Sequence, residues 1–484
     1  MTVVYVLLAA LCVLALFFAA AAVRAARIKL PRSDGKESPL RVSEESALRH
    51  GEALAKMIRV PSISKREDED LSEFKRLHAV LKELFPRVHK TLERMEFSGN
   101  LLYRWKGDGT GGLPILLMAH QDVVPAPPEG WTYPPFDGVI KDGALYGRGT
   151  LDSKCNVYTQ LAAIEELLAE GYVPPFDVYV EMAINEELGG GGAPLSVQYL
   201  KEEGVRLALV MDEGGGILDE LMKGMDRPYA VIGIVEKGYM DVKVTARSAG
   251  GHSSTPPHGT PIARLAAFVN EVERKRPFRK VMLDEVARMF TDLAGSFPFG
   301  MRMLLGNLWL FKPLIMSVLP RVSPFGEALL STTCAFTMCR GSDAANVIPS
   351  EAYVVANLRT SVHQNCEESL AVLKKIADKY GLDLEVLLRR DASPRTDVDG
   401  AEYRAVTEII RTCFPRAGVA PYYIMGGTDA RHFYAVSDNV LRFTPIAMTT
   451  EQMESCHAVD ENVRIRSLAE GVEFYKYFIK HWKV

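Results

Sequence analysis

Three short, mostly apolar runs in the first half of this chain end in groups that bind metals or move protons. Ile115 to Ala119 leads into His120-Gln-Asp122, Phe176 to Ile184 into Asn185-Glu186-Glu187, and Leu207 to Met211 into Asp212-Glu-Gly. Runs of this length bounded by turn residues read as buried strands. Between them, Val157 to Ala169 has the spacing of an amphipathic helix. The alternation predicts an α/β domain with helices on both faces of its sheet. Open α/β sheets place their sites outside the carboxyl ends of the strands, which is where these acids and this histidine fall.

The 484 residues leave room for two domains with substantial cores. Glu44 to Arg59 has helical spacing and stops near Pro61, and the α/β pattern then runs to about Gly238. Tyr239 to Ala246 alternates apolar with polar residues, as a half-exposed strand does. A helix from Pro261 to Arg274, a strand from Ala352 to Arg359, a helix from Cys366 to Tyr380 and a strand from Leu382 to Arg389 follow. The expected organisation is therefore an anchor at residues 1–29, a first catalytic part at 40–238, an inserted α+β unit at 239–392, and a second catalytic part at 393–484. Helices at Ala401 to Phe414 and Val463 to Lys480 belong to the last part. Phe297 to Pro320 is strongly apolar yet holds Arg302, Lys312, Pro298 and Pro313. It is expected as helices packed in the small unit, with a greasy surface for membrane or an acyl chain as the alternative.

Val3 to Val23 carries no charge and is long enough to cross a bilayer as a helix; Arg24, Arg27, Lys29 and Arg32 follow at once, and a polar, Pro-containing linker runs from Leu30 to about Leu40. A cleaved signal peptide normally has its positive charge before the apolar stretch, although the Ala19 to Ala22 run keeps cleavage open. The basic flank slightly favours a cytoplasmic catalytic part on a single-pass anchor. A net charge of −4, with no basic stripe outside the N-terminal region, argues against a nucleic-acid partner. Seven scattered cysteines without CxxC spacing suggest free thiols rather than disulfides or a thiolate zinc site.

The acids and histidines make sense together as a two-metal hydrolase. His120 offers a neutral imidazole, and Asp122 two positions on can fix its tautomer. Asp152 follows Gly147 and Gly149, which let the backbone bring a carboxylate close to ions. Glu186 and Glu187 repel each other unless something positive compensates, so one can bind metal while the other moves a proton. Asp212 adds a hard oxygen ligand, and His457 supplies a late imidazole.

These motifs resemble the di-zinc metallopeptidase family that holds aminoacylase, carboxypeptidase S, glutamate carboxypeptidase, acetylornithine deacetylase and succinyl-diaminopimelate desuccinylase. The resemblance rests on His120-Gln-Asp122, Gly147-Arg-Gly-Thr-Leu-Asp152-Ser-Lys154, Glu186-Glu187, Asp212-Glu-Gly, Gly251-His252-Ser-Ser, Asn346-Val-Ile-Pro349 with Asn357-Leu-Arg359, Gly426-Gly-Thr-Asp429, and His457. Val123 to Trp131 and Asn307 to Pro313, with the N-terminal anchor, are similar to the branch of carboxypeptidase S and N-fatty-acyl amino acid hydrolases. Ser153 and Asn185 stand where that branch often has aspartates.

The resemblance implies a zinc-peptidase-type mixed sheet with an inserted ferredoxin-like lid, and two Zn²⁺ per subunit, with Co²⁺ or Mn²⁺ as other candidates. It implies that Asp152 bridges the ions, that His120 and Asp212 complete one shell, and that Glu187 and His457 complete the other. It makes Glu186 the general base and acid and Asp122 the group that orients His120. His252 would polarise the scissile carbonyl, from its own chain or from a neighbour in a homodimer. Asn346, Arg359 and the Gly427 loop would hold the substrate's amide and carboxylate. The implied activity is hydrolysis of an amide beside a free carboxylate, as a carboxypeptidase on short peptides or as an N-acyl amino acid hydrolase. A membrane-anchored binding module without chemistry is the alternative of another class.

Overall fold

A computed structural model describes residues 2–28, 37–64 and 70–484. Most of the linker expected from Leu30 lies outside them. The three apolar runs form strands Ile115–His120, Val178–Ala183 and Leu209–Asp212, and every residue in them is buried. They lie side by side and parallel, with Ile115–His120 in the middle. Beyond Val178–Ala183 the sheet continues through Asn100–Trp105 to Glu93–Phe97. Beyond Leu209–Asp212 it continues through Val440–Arg442, Tyr229–Glu236, Gly216–Leu218 and Ala447–Met448, with Gly418–Ile424 also paired to Tyr229–Glu236. Parallel and antiparallel pairings are mixed.

Continuous burial has a simple cause: the sheet is covered on both faces. Ile115, Leu117 and Ala119 belong to one core, with helices Glu44–Ile58, Lys154–Ala169 and Ile465–His481. Leu116 and Met118 point the other way into a second core under helix Gly192–Glu202, as strand alternation requires. Lys154–Ala169 departs from the amphipathic expectation. Packed between sheet and C-terminal helix, it buries even Asn156 and Gln160, whose amides both donate to the Met118 carbonyl. Tyr475 Oη completes the set by donating to Asn156 Oδ1. These bonds satisfy polar groups that burial would otherwise penalise by about 1–3 kcal/mol each, and they steady the strand end that carries His120.

The second sheet is antiparallel, in the order Thr333–Arg340, Glu351–Thr360, Gly238–Arg247, Asp383–Arg390. Helices Pro261–Lys275 and Cys366–Ala377 pack on it and share a separate core with Met240, Val242, Val244 and Ala246. Residues 282–330 do not join that core. Met282, Phe290, Phe297, Leu305, Phe311, Ile315 and Leu329 are buried with the large sheet, and helix Asp284–Leu293 packs along Gly418–Ile424. Phe297 to Pro320 is thus helical as expected, as Phe299–Leu305 and Leu308–Val322, but it packs on the large unit. Helix Thr2–Arg27 is long and apolar enough to cross a membrane.

Candidate active site

Two triads of ligand-type groups share one aspartate. His120 Nε2 lies 2.8 Å from Asp152 Oδ1 and 3.2 Å from Glu213 Oε1. On the other side, His457 Nε2 lies 3.0 Å from Asp152 Oδ2 and 3.2 Å from Glu187 Oε2. These separations lie close to the edge, about 3.3 Å, of a tetrahedron with metal–ligand bonds of ~2.0–2.1 Å. The donor set, two imidazoles and three carboxylates, is one that divalent ions of the zinc type accept. Glu187 Oε1 is buried with no hydrogen-bond partner, as a ligand atom would be before its ion is counted.

The charge balance points the same way. Burial pushes the Glu213 carboxyl up to about 8, with Asp152 and Asp212 adding to it and His120 opposing. Burial likewise raises Glu186 well above the carboxylate range, helped by Glu213, Asp429 and Asp152 against His120. His457 is raised to about 10 by its bonds to Asp152 and Glu187. Carboxylates packed this closely ionise together only beside compensating cations.

Each group is positioned by a specific local device. His120 ends its strand, and its Nδ1 faces Asp122, 3.0 Å from the backbone carbonyl and 3.2 Å from Oδ1. The buried Asp122 carboxylate also accepts from Ser64 Oγ and from the amides of Glu186 and Glu187, so one side chain orients the imidazole and the glutamate pair. Asp152 is delivered by the turn at Gly147 and Gly149, at φ 151° and 90°. A Cβ on Gly147 would sit 2.5 Å from Ile58 Cγ2. Lys154 pins the far side of this turn by donating to the carbonyls of Met57 and Val60.

Glu461 is a group that sequence reading missed. Fully buried, it accepts from the amides of Gly149, Leu151 and Asp152 and from Arg148. It clamps the Asp152 turn to the segment that carries His457, whose own backbone is left-handed at φ 61°. Its only signal in the sequence is an acid four residues after that histidine.

The expectation for Asp212 needs correction. As the last strand residue it keeps the alternation of Val210 and faces the Thr428–Ala430 turn, its Oδ2 accepting from the Ala430 amide at 3.0 Å. Glu213, one position past the strand end, turns back to His120 and completes the triad.

Asp152, Glu186, Glu187, Glu213, Gly427 and His457 line a cavity of about 330 Å³. The same lining holds the apolar or aromatic side chains of Leu218, Val231, Tyr422, Ile424, Ile446, Met448 and Met453, beside Thr428 and Thr444. Cys456 lines it too, with burial pushing its thiol far up, and an undissociated thiol is a poor ligand. Among the other expected substrate residues, Arg359 stacks 4.6 Å above the Tyr239 ring, outside that lining. His252 and Asn346 are brought together on an exposed two-stranded ribbon, where His252 pairs with Val347 and accepts from the Ser254 amide. Neither lines the cavity.

Two arginines were not anticipated. Arg390 lies against Gly189, and Arg431 against Gly427. Burial lowers Arg390, and so do Arg431 and Arg359, while Asp429 and Glu186 raise it. The three guanidiniums are thus close enough to repel one another, and among the described residues Arg390 Nε and Arg431 Nε are buried without hydrogen-bond partners.

A family model described as "Peptidase family M20/M25/M40" matches residues 116–481. The N-fatty-acyl-amino acid synthase/hydrolase PM20D1 of Homo sapiens is 35% identical over 451 residues, 90% of this chain and 88% of the human protein. The carboxypeptidase S-like protein 2 of Dictyostelium discoideum is 32% identical over 438 residues, 88% of this chain and 84% of that protein. Among solved structures, the M20 family metallo-carboxypeptidase Sso-CP2 of Sulfolobus solfataricus shares the fold with a TM-score of 0.64 at 18% identity, covering 91% of this chain and 99% of that one.

Proposed function

The chain belongs to the peptidase family M20/M25/M40, and from that premise we propose that it hydrolyses the amide bond of N-acyl amino acids with apolar acyl groups. That it is a metal-dependent hydrolase of the peptidase and aminoacylase type follows from the family and its relatives. The choice of substrate is carried by the apolar side chains that share the cavity with the acidic cluster: an acyl chain fits there, and a charged or polar residue would lose its hydration.

In this reading His120, Asp152 and Glu213 hold one Zn²⁺, and Asp152, Glu187 and His457 hold the other. Bound there, the ions supply Lewis-acid polarisation of the amide carbonyl and acidify water. Glu186 takes the proton from the attacking water and delivers it to the departing amine nitrogen. Asp122 keeps the His120 ring in its ligating orientation. Arg390 and Arg431, with Arg359 and the Gly427 loop, receive the free carboxylate, for which a guanidinium fork is well suited. We take the four-stranded unit as a ferredoxin-like lid, βαββαβ in chain order. Its ribbon carries His252 and Asn346 to the scissile carbonyl on closure. Gly238, with no space for a Cβ against Thr360 and the Arg390 carbonyl, is one end of the hinge. The N-terminal helix anchors the enzyme in a membrane, with the basic flank favouring a cytoplasmic catalytic part.

Offered N-fatty-acyl amino acids and a dipeptide series in parallel, the metal-loaded enzyme is expected to favour the former by at least about tenfold in kcat/KM, or ~1.4 kcal/mol. Equal or greater activity on dipeptides would favour a carboxypeptidase for short peptides, the reading supported by the Dictyostelium relative. His252→Ala is expected to lower kcat by about 10²–10³ without changing metal content. If the imidazole serves a second copy of the chain, mixing this variant with Glu186→Ala will restore part of the activity.

A further inference from the structure

Helices Phe299–Leu305 and Leu308–Val322 meet at a bend of 99°. On the second helix Trp309, Leu314, Val318 and Val322 are 52, 51, 44 and 70% exposed. Leu314, Val318 and Val322 are spaced by four residues, about one turn each, and line one outward stripe, while Trp309 lies at the start of the helix, beside the bend. Phe311, Ile315 and Pro320 of the same helix are buried, the first two in the large core. That mooring fixes the direction in which the stripe faces.

The charges of this segment leave the stripe apolar. Arg302 donates to the Phe297 carbonyl and Lys312 to the Met282 carbonyl, so both heads turn back to protein. Arg321, at the far end of the helix and next to Val322, is exposed and donates to the Ser317 carbonyl and Oγ, so one charge borders the stripe, with a side chain long enough to reach headgroups.

The neighbour of the stripe identifies its occupant. Helix Thr2–Arg27 rests its C-terminal end on this bend: Phe17 meets Trp309 and Phe18 meets Phe311 edge to face, at 5.8 and 5.7 Å. Asn307 Nδ2 donates to the Ala21 carbonyl at 3.0 Å, and Ala21 and Ala25 are buried. The preceding turns of that helix carry exposed apolar side chains from Val3 to Phe18. The stripe is thus continuous with a surface long enough to cross a bilayer.

We infer that the bent helix pair Phe299–Val322 dips into the lipid beside the N-terminal helix and docks the catalytic unit flat on the bilayer, through a face that spans no membrane itself. The occupant of the stripe is the acyl-chain region of a lipid leaflet. This rests on the anchor reading given above, and it adds a second contact that holds the enzyme at the interface, where an N-fatty-acyl amino acid partitions.

The test uses the full chain in phosphatidylcholine vesicles with brominated acyl chains, which quench tryptophan on contact. In a Trp309→Phe background, where Trp105, Trp131 and Trp482 give a common baseline, one reporter at a time is added by Leu314→Trp, Phe17→Trp and, as an exposed control, Leu113→Trp. Bromine quenching above background is expected at positions 314 and 17 and not at 113. Quenching at 17 without 314 overturns the inference and leaves the anchor standing; no quenching at either overturns both. Quenching at 314 alone supports the docking face and removes the anchor. As a second readout, Leu314→Glu with Val318→Glu is expected to cut kcat/KM on vesicle-borne long-chain substrate by about tenfold. Activity on a water-soluble short-acyl analogue should be unchanged; an equal loss on both would overturn the inference.

Discussion

Glu186→Ala is expected to lower kcat by about 10³–10⁴ while the protein keeps its full metal content and its melting temperature. The reason is geometric. Glu186 lines the cavity but belongs to neither triad, whereas its neighbour Glu187 lies 3.2 Å from His457. The backbone amides of both glutamates are held by Asp122, so truncating one side chain leaves the other in place. Steady-state rates beside elemental analysis of the purified variant make the measurement. Loss of an ion together with activity would show that Glu186 is a ligand and that the proton carrier is elsewhere.

Glu213→Ala is expected to remove one ion per chain and to reduce activity at least about 100-fold, whereas Asp212→Asn keeps both ions. The adjacent acids are told apart by direction. Asp212 accepts from the Ala430 amide within the second core, a bond that an asparagine oxygen can also accept, so the expected cost is within about 1 kcal/mol. Glu213 faces His120 Nε2 at 3.2 Å and has no substitute there. Metal content of the two variants compared side by side decides the matter, and the opposite pattern would return Asp212 to the ligand role.

That pair also marks where sequence reading runs out. The three strands that carry the site could be read from their hydrophobic runs, because burial on both faces of a sheet leaves a plain pattern, and the acids were seen to cluster at their ends. Which of two consecutive acids turns inward depends on where a strand stops, and a shift of one residue reverses the answer. Glu461 and Arg390 were invisible for a different reason: the Asp152 turn and Gly189, which they meet, are hundreds of residues away. The helices of residues 282–330 have clear apolar faces, but periodicity shows only that a face is covered. It does not say by which core, and the small unit was the wrong address for them. Lys154 stood in a recognised motif, yet its task of holding the Met57 and Val60 carbonyls could be seen only in three dimensions.

The clamp made by Glu461 has a consequence for biosynthesis. Asp152 leaves the ribosome long before the residue that grips its turn, since the two are separated by 309 positions, and His457 emerges in that same closing stretch. A polypeptide still being translated can build its sheet but holds only one of the two triads and lacks the Glu461 bonds to the Asp152 turn. The second triad and the grip on the Asp152 turn therefore form only once residues 457 to 461 are in place.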